Sequence, residues 1–207
     1  MAFDWHGFLI RLSGEALCDP EIIEYGELPS EVIASGWLGY PGATDDEIAR
    51  AEARLGAPLP PSYRAFLRVS NGWGHVPPFS ERLWSTEDVE WFAVRHQGWI
   101  ENWQHEDVRP ATDEEYSVYG ERQSSLYYRP AHLQTALEVG AYYDGAIYLL
   151  NPQVVTDEGE WEGMFMAGWL PGVSRYRSFQ EMMQAALETY LSIKQDRALE
   201  EDGDEED

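Results

Sequence analysis

The chain has 207 residues, 43% of them hydrophobic, and its 38 acidic against 14 basic side chains give a formal net charge of −24. This length suits one large domain or two small ones with a buried core. The charge disfavours binding to nucleic acid or to an anionic membrane, because both require a basic surface. It favours solubility and fast encounter with a basic protein.

Composition also bounds the compartment. No window approaches about 18 uninterrupted apolar residues, so we expect no membrane-spanning helix. The N-terminus lacks the basic region and long apolar run of a signal peptide, which predicts a cytoplasmic protein. Cys18 is the single cysteine, so neither a disulfide framework nor a cysteine-based metal site is expected.

Acidic residues are concentrated at the C-terminal end but are not confined to it. Residues 200–207 hold seven carboxylates and no apolar side chain, which is typical of a disordered segment. We predict a single domain over residues 1–197, because no linker or repeat interrupts it, and a disordered acidic tail over residues 198–207. Most of the negative charge belongs to the domain, either as a solvated surface or as a patch that faces a partner.

The first predicted helix spans residues 4–18. Its apolar side chains recur at helical spacing, and they are Trp5, Phe8, Leu9, Leu12 and Ala16. Glycines and prolines between residues 29 and 42 then predict a loop.

A helix–short loop–helix pair follows. Thr44 and Glu47 form a capping box at the start of the first helix, and Gly56 provides the left-handed stop. Pro60 and Pro61 suit the first turn of the second helix, where a missing N–H costs nothing. The dipeptide at residues 71–72, Asn-Gly, ends it.

The second half of the chain predicts short strands before a final helix. Residues 82–84 are typical of a strand, residues 85–92 of a brief helix, and residues 99–122 of a polar, irregular segment. Residues 137–152 indicate a hairpin around Asp144-Gly145 that Asn151-Pro152 closes, and residues 160–169 indicate a further strand. Ser178 and Glu181 predict a second capping box at the start of the last helix, which places seven apolar positions on one face.

No catalytic or metal-binding motif emerges from the sequence. The histidines at positions 6, 75, 96, 105 and 132 are scattered, and no phosphate-binding loop, dinucleotide fingerprint or nucleophile elbow occurs. A metal site built from His96 and His105 would need carboxylates that the sequence does not place. We therefore predict no catalytic residues, no cofactor and no metal, although a hydrolase that uses paired carboxylates stays as an alternative.

Nine tryptophans distinguish the composition, and most lie in apolar surroundings that are typical of a core. Trp99 and Trp103 lie among polar residues instead, in the stretch QGWIENWQHEDV. They are either core residues or exposed anchors for a protein partner.

The segment ATDDEIARAEARLGAPLPPSYRAFLRVSNGWG, residues 43–74, resembles the signature of the SMI1/KNR4 (SUKH) superfamily. The matching residues are Ile48, Glu52, Leu55, Gly56, Leu59, Pro60, Tyr63, Phe66, Leu67, Asn71 and Gly72. The resemblance continues in YLLNP and in GEW…RYRSFQEMM, and it covers most of residues 3–195. It implies an α+β fold, a mixed and mostly antiparallel sheet with helices packed against it.

The resemblance also implies a function. Many bacterial members of the superfamily are non-catalytic immunity proteins that bind and neutralise a cognate toxin, often a nuclease, of a polymorphic toxin system. Others act as regulatory adaptors, or interaction hubs, in cell-wall and signalling networks. The expected partner is a basic toxin domain, and neither the oligomeric state nor the toxin's identity follows from the sequence.

The resemblance transfers no contact residues, so the candidate partner-binding residues come from the sequence alone. We expect them in acidic clusters outside the helix-capping turns and at the two polar tryptophans. They are Glu87, Asp88, Glu90, Trp99, Glu101, Trp103, Glu106, Asp107, Asp113, Glu114, Glu115, Asp157, Glu158, Glu160 and Glu162.

Overall fold

A computed structural model describes residues 3–25, 28–77, 80–104 and 109–204. Its helices are α1 (Trp5–Leu17), α2 (Pro20–Tyr25), α3 (Ser30–Ser35), α4 (Asp45–Leu55), α5 (Pro61–Val69), α6 (Phe92–Gln104), α7 (Asp113–Tyr116) and α8 (Phe179–Asp204). Its strands are β1 (Glu90–Trp91), β2 (Leu137–Glu138), β3 (Ala146–Val155), β4 (Trp161–Ala167) and β5 (Val173–Tyr176). Two 3₁₀ turns, Gly120–Arg122 and Pro130–Thr135, join the later elements.

The five described strands form one sheet in the order β1-β2-β3-β4-β5, and every neighbouring pair is antiparallel. The predicted α+β class is therefore confirmed, with an antiparallel rather than mixed sheet in the part of the chain described. None of the described helices is both long enough and apolar enough to cross a membrane.

The predicted helix pair is confirmed at both ends. The Thr44 hydroxyl accepts a hydrogen bond from the backbone N–H of Glu47, and the Glu47 carboxylate accepts one from the backbone N–H of Thr44, so this capping box begins α4. Gly56 has a φ of 71° and ends α4 in the left-handed region. Pro61 occupies the first turn of α5, as its missing N–H allows.

Aromatic side chains join the helix pair to the two ends of the chain. Phe66 of α5 lies 5.6 Å from Trp5 of α1 and 5.2 Å from Phe179 of α8, measured between ring centroids. Tyr63 lies 4.9 Å from Phe179. These rings belong to a continuous apolar core between the three helices and one face of the sheet.

The opposite face of the sheet is covered as well. Phe92 and Ile100 of α6, with Leu133 of the second 3₁₀ turn, pack against Leu149 and Met164. As a result, all seven residues of β4 are buried, whichever face they point to.

The hairpin between β2 and β3 turns where the sequence predicts. Asp144 and Gly145 have φ values of 43° and 80°, the two positive angles that a tight primed turn requires. The prediction that Asn151-Pro152 closes the hairpin is wrong, because β3 continues to Val155. The pairing of β3 with β4 is irregular between Asn151 and Val155, so Pro152 lies where no ladder N–H is needed.

Other local predictions differ from the structure where tertiary contacts decide. Residues 82–84 form no strand; Leu83 makes isolated bridges to Trp73 and Gly140. Residues 85–88 form a turn rather than a helix, and α6 extends through the first part of the segment expected to be irregular. Within the predicted loop, residues 30–35 form α3, which is too short to show helical periodicity.

The last helix is confirmed, with Phe179, Met182, Met183 and Tyr190 buried on its inner face. Helix α8 continues to Asp204, so residues 198–204 of the predicted tail are described as helix. Residues 205–207 lie outside the described residues, and the domain boundary at residue 197 stays a prediction.

We expect Phe66→Ala to lower the free energy of unfolding by about 3–5 kcal/mol, because it leaves a cavity among fully buried rings. Urea unfolding monitored by circular dichroism measures this loss. Arg68→Ala is the control on the same helix, since Arg68 forms an exposed ion pair with Asp45 and should cost under about 1 kcal/mol. Equal losses for the two variants would contradict the central role of the aromatic core.

Candidate protein-binding surface

The turn between β3 and β4 presents two exposed carboxylates, Asp157 and Glu158. Next to them, Glu160 accepts the backbone N–H of Ser62 at 2.8 Å and the Ser62 hydroxyl at 2.6 Å. Helix α5 has no side-chain cap of its own, so Glu160 supplies the acceptor that its N-terminus needs. The turn is thereby fixed to α5 and holds its two exposed acids in place.

A second acidic turn precedes β1. Glu87 and Asp88 are exposed, whereas Glu90 is half-buried and pairs with Arg54 at 3.2 Å. Arg54 also donates to the carbonyl oxygen of Val89 at 2.7 Å. Glu90 holds this turn to α4, so Glu87 and Asp88 are the acids of the turn that remain exposed to a partner.

The acidic run of α7 is divided in the same way. Glu115 receives two hydrogen bonds from Arg109 and completes a capping box with Thr112, and these contacts lower the pKa of Glu115 to about 2. Asp113 forms an ion pair with Arg129. Glu114 is exposed and points its charge to solvent.

The cluster around the polar tryptophans is only partly described. Trp99 is half-buried, and its ring lies 5.0 Å from that of Tyr142 in an edge-to-face arrangement. The two rings form an aromatic pair that is partly exposed at the surface. Glu101 is exposed and accepts a hydrogen bond from Gln97 at 3.2 Å. The side chain of Trp103 and all of Glu106 and Asp107 lie outside the described residues.

Glu162 belongs to the interior and is unavailable to a partner, since its side chain is fully buried. One carboxylate oxygen accepts the Tyr119 hydroxyl at 2.7 Å and the Arg175 guanidinium at 3.1 Å. The other accepts the Tyr116 hydroxyl at 2.5 Å and the Asn151 amide at 2.8 Å. Strand alternation explains this placement, because neighbouring residues of β4 point to opposite faces.

A second buried carboxylate, Glu138 of β2, was not singled out from the sequence. It accepts hydrogen bonds from Arg95 and from the Trp84 indole, both at 2.9 Å, and His96 Nε2 lies 3.0 Å from its second oxygen. The signal that could have revealed it is a lone acid at an otherwise apolar strand position. Each buried carboxylate is thus held by an arginine and by neutral donors.

Internal pairing uses most of the cations of the chain. With carboxylates of the described residues, nine of the 14 Lys and Arg side chains form ion pairs. Several exposed acids form no ion pair within the described residues, because acidic side chains outnumber basic ones 38 to 14. Within the part of the chain that the structure describes, Glu87, Glu114, Asp157 and Glu158 are exposed and form no ion pair; together they are the candidate protein-binding surface, hereafter the acidic surface.

The structure offers little that would hold a metal. Within the residues described, no group of three or more His, Cys, Asp or Glu side chains is placed to bind an ion. The larger cavities, of about 530 and 520 Å³, open at the edge of β5 and beside α3.

Helices on both faces of an antiparallel sheet, with acidic turns at its margins, define an α+β domain. The model of the SMI1/KNR4 family (SUKH-1) matches residues 42–182. Because this match covers more than half of the chain, the protein belongs to the SMI1/KNR4 family. No curated protein matches the chain significantly.

We expect Arg175→Met to lower the free energy of unfolding by about 3–5 kcal/mol, because Glu162 would remain buried without its cation. Adding Glu162→Gln should recover at least half of that loss, since the amide carries no charge and its oxygen still accepts from one of the two tyrosine hydroxyls. Urea unfolding of the two variants tests the pair. A double variant no more stable than Arg175→Met would show that charge is not the cause.

Acid should destabilise the fold through His132, whose pKa is lowered by burial. The folded value lies below the unfolded value of about 6.5, so the unfolded chain binds more protons between the two and stability falls as pH decreases. Burial also lowers the pKa of His75. The difference in unfolding free energy between pH 7.5 and 5.5 should therefore be smaller in His132→Gln than in the native protein, and smaller again when His75→Gln is added. An unchanged difference would show that these histidines do not cause the loss of stability in acid.

Proposed function

We propose that this chain is a non-catalytic protein-binding domain that acts as an immunity protein, binding and neutralising a cognate toxin. A nuclease of a polymorphic toxin system is the favoured target. The observation that carries the proposal is the acidic surface, whose exposed carboxylates form no ion pair within the described residues of a chain with a net charge of −24. Membership of the SMI1/KNR4 family is compatible with this role.

The physical reason is complementarity of charge. A nuclease binds the phosphate backbone through a basic groove, and a strongly acidic protein is attracted to that groove over long range. Attraction of this kind raises the association rate and fixes the orientation of the complex. The proposal locates the protein in the cytoplasm, where a nuclease toxin would meet its substrate.

Within the acidic surface, the β3–β4 turn is the best-supported point of contact. Asp157 and Glu158 are exposed, and the contact of Glu160 with Ser62 holds the turn against α5. A rigid position means that little conformational entropy is lost on binding.

A regulatory adaptor is the second candidate, favoured by exposed aromatic side chains at the other end of the sheet. Tyr142, Tyr143 and Trp169 are 45%, 38% and 52% exposed. Such residues are enriched where proteins bind each other. An adaptor would bind several partners weakly rather than one partner tightly.

The deciding experiment uses the tagged protein to capture partners from the lysate of its native host, with low-salt and then high-salt washes. Each captured protein is then expressed alone and together with this chain. One stoichiometric basic partner whose toxicity is suppressed by co-expression would establish the immunity role. Several salt-labile partners, none of them toxic, would support the adaptor and overturn the proposal.

We expect Asp157→Asn/Glu158→Gln to slow association with that partner about tenfold at low salt, because it removes two charges from a fixed turn. Stopped-flow or surface plasmon resonance measures the rate. Glu81→Gln/Asp196→Asn is the matched control, since it removes the same charge from two exposed positions elsewhere. Equal slowing in both variants would show that only net charge matters.

A further inference from the structure

A groove runs between the edge strand β5 and helix α8. A cavity of about 530 Å³ lies outside the strand, and a smaller one of about 190 Å³ lies between the sheet and α8. Leu170, Ser174 and Tyr176 line both cavities, which makes them parts of one groove. All of its lining residues belong to the described part of the chain.

Small side chains explain why α8 does not close against the sheet here. Ser174 faces the groove from β5, and Ala185 and Ala186 face it from α8. The smaller cavity is otherwise lined mostly by apolar groups, among them Phe165 and Met182. Its volume is that of one aromatic side chain.

The smaller cavity contains a hydrogen-bond donor without a partner. Tyr148 lines it from β3, is only 2% exposed, and its hydroxyl makes no hydrogen bond within the described residues. Burial raises the pKa of Tyr148, so the hydroxyl keeps its proton. A buried hydroxyl that lacks a partner is costly, and a ligand that supplies an acceptor would remove the cost.

The rim of the groove carries acidic and aromatic side chains, whereas Arg175, which also lines the larger cavity, is buried and paired with Glu162. Glu181 and Glu188 line the larger cavity from α8, and Glu188 is exposed. Glu181 accepts the backbone N–H of Arg177 at 2.8 Å, and this hydrogen bond holds its carboxyl group beside the groove. Trp169 lines the smaller cavity and is half exposed.

We propose that this groove receives a segment of the basic partner protein in which a tyrosine is flanked by Lys or Arg. The tyrosine ring fills the smaller cavity, and its oxygen accepts a hydrogen bond from the Tyr148 hydroxyl. The flanking cations lie against Glu181 and Glu188. This inference rests on the proposed function for the class of partner, and it adds an anchoring pocket to the acidic surface.

The probes are two short peptides, acetyl-Lys-Tyr-Arg-amide and acetyl-Lys-Phe-Arg-amide, titrated into the full chain and followed by ¹H–¹⁵N NMR. We expect shifts at the amides of Ser174, Tyr176 and Ala186. The tyrosine peptide should bind about tenfold more tightly than the phenylalanine peptide, because only it accepts from Tyr148. Tyr148→Phe should abolish this difference without destabilising the free protein, since its hydroxyl has no partner to lose.

Two further variants test the groove from exposed positions of α8, where substitution leaves the core intact. Thr189→Phe should close the smaller cavity and abolish binding, and Glu188→Lys should weaken it about fivefold. Gln195→Phe and Asp196→Lys are the matched controls further along the helix. The inference would be overturned if the peptides caused no shifts at the amides of Ser174, Tyr176 and Ala186, or if all the variants bound them with equal affinity.

The toxin, once captured, separates this inference from the proposed function. Loss of neutralisation in Thr189→Phe but not in Gln195→Phe would support both. Full neutralisation by Thr189→Phe would overturn the groove as a partner site and leave the immunity role standing. If the native protein captures no toxin, the immunity role fails. The groove then has no toxin to bind, so it is also overturned as a toxin site, whatever the peptide titrations show.

Discussion

Burial of both faces of the sheet is the constraint on which the rest of the structure depends. A charged side chain at a buried position of a central strand has no route to water, so it must be neutralised inside the protein. Glu162 and Glu138 satisfy this condition through Arg175 and Arg95. Their networks reach from the sheet into α6 and α7, and so they also fix the layer that covers the second face.

The need to neutralise buried carboxylates also affects the surface, because the chain has only 14 Lys and Arg side chains. Arginines that serve the interior or hold turns in place, such as Arg54 at the turn before β1, cannot neutralise the exposed acids. The acidity of the surface follows from composition, since an ion pair removes one charge of each sign, whereas internal pairing decides which acids stay unpaired. Acidic side chains close together in sequence accordingly have different roles: Glu160 caps a helix, whereas Asp157 and Glu158 face solvent.

The sequence correctly predicts the elements whose structure depends on local chemistry. The capping box at Thr44, the turn at Asp144-Gly145 and the amphipathic face of α8 each depend on neighbouring residues, and all were predictable. Features that depend on contacts between distant parts of the chain were not predicted. Glu162 was grouped with the exposed acids before it, and neither its arginine nor the cavity under Tyr148 leaves a local pattern, because their parts lie far apart in the chain.

The contact of Glu160 with Ser62 joins groups 98 positions apart in the chain. The N-terminus of α5 is therefore completed only after the β3–β4 hairpin has formed and docked. Loop closure over such a separation is slow compared with helix formation. A fragment ending before β3 would therefore contain the helix pair that marks the family most clearly in sequence but lack the acceptor that completes its second helix.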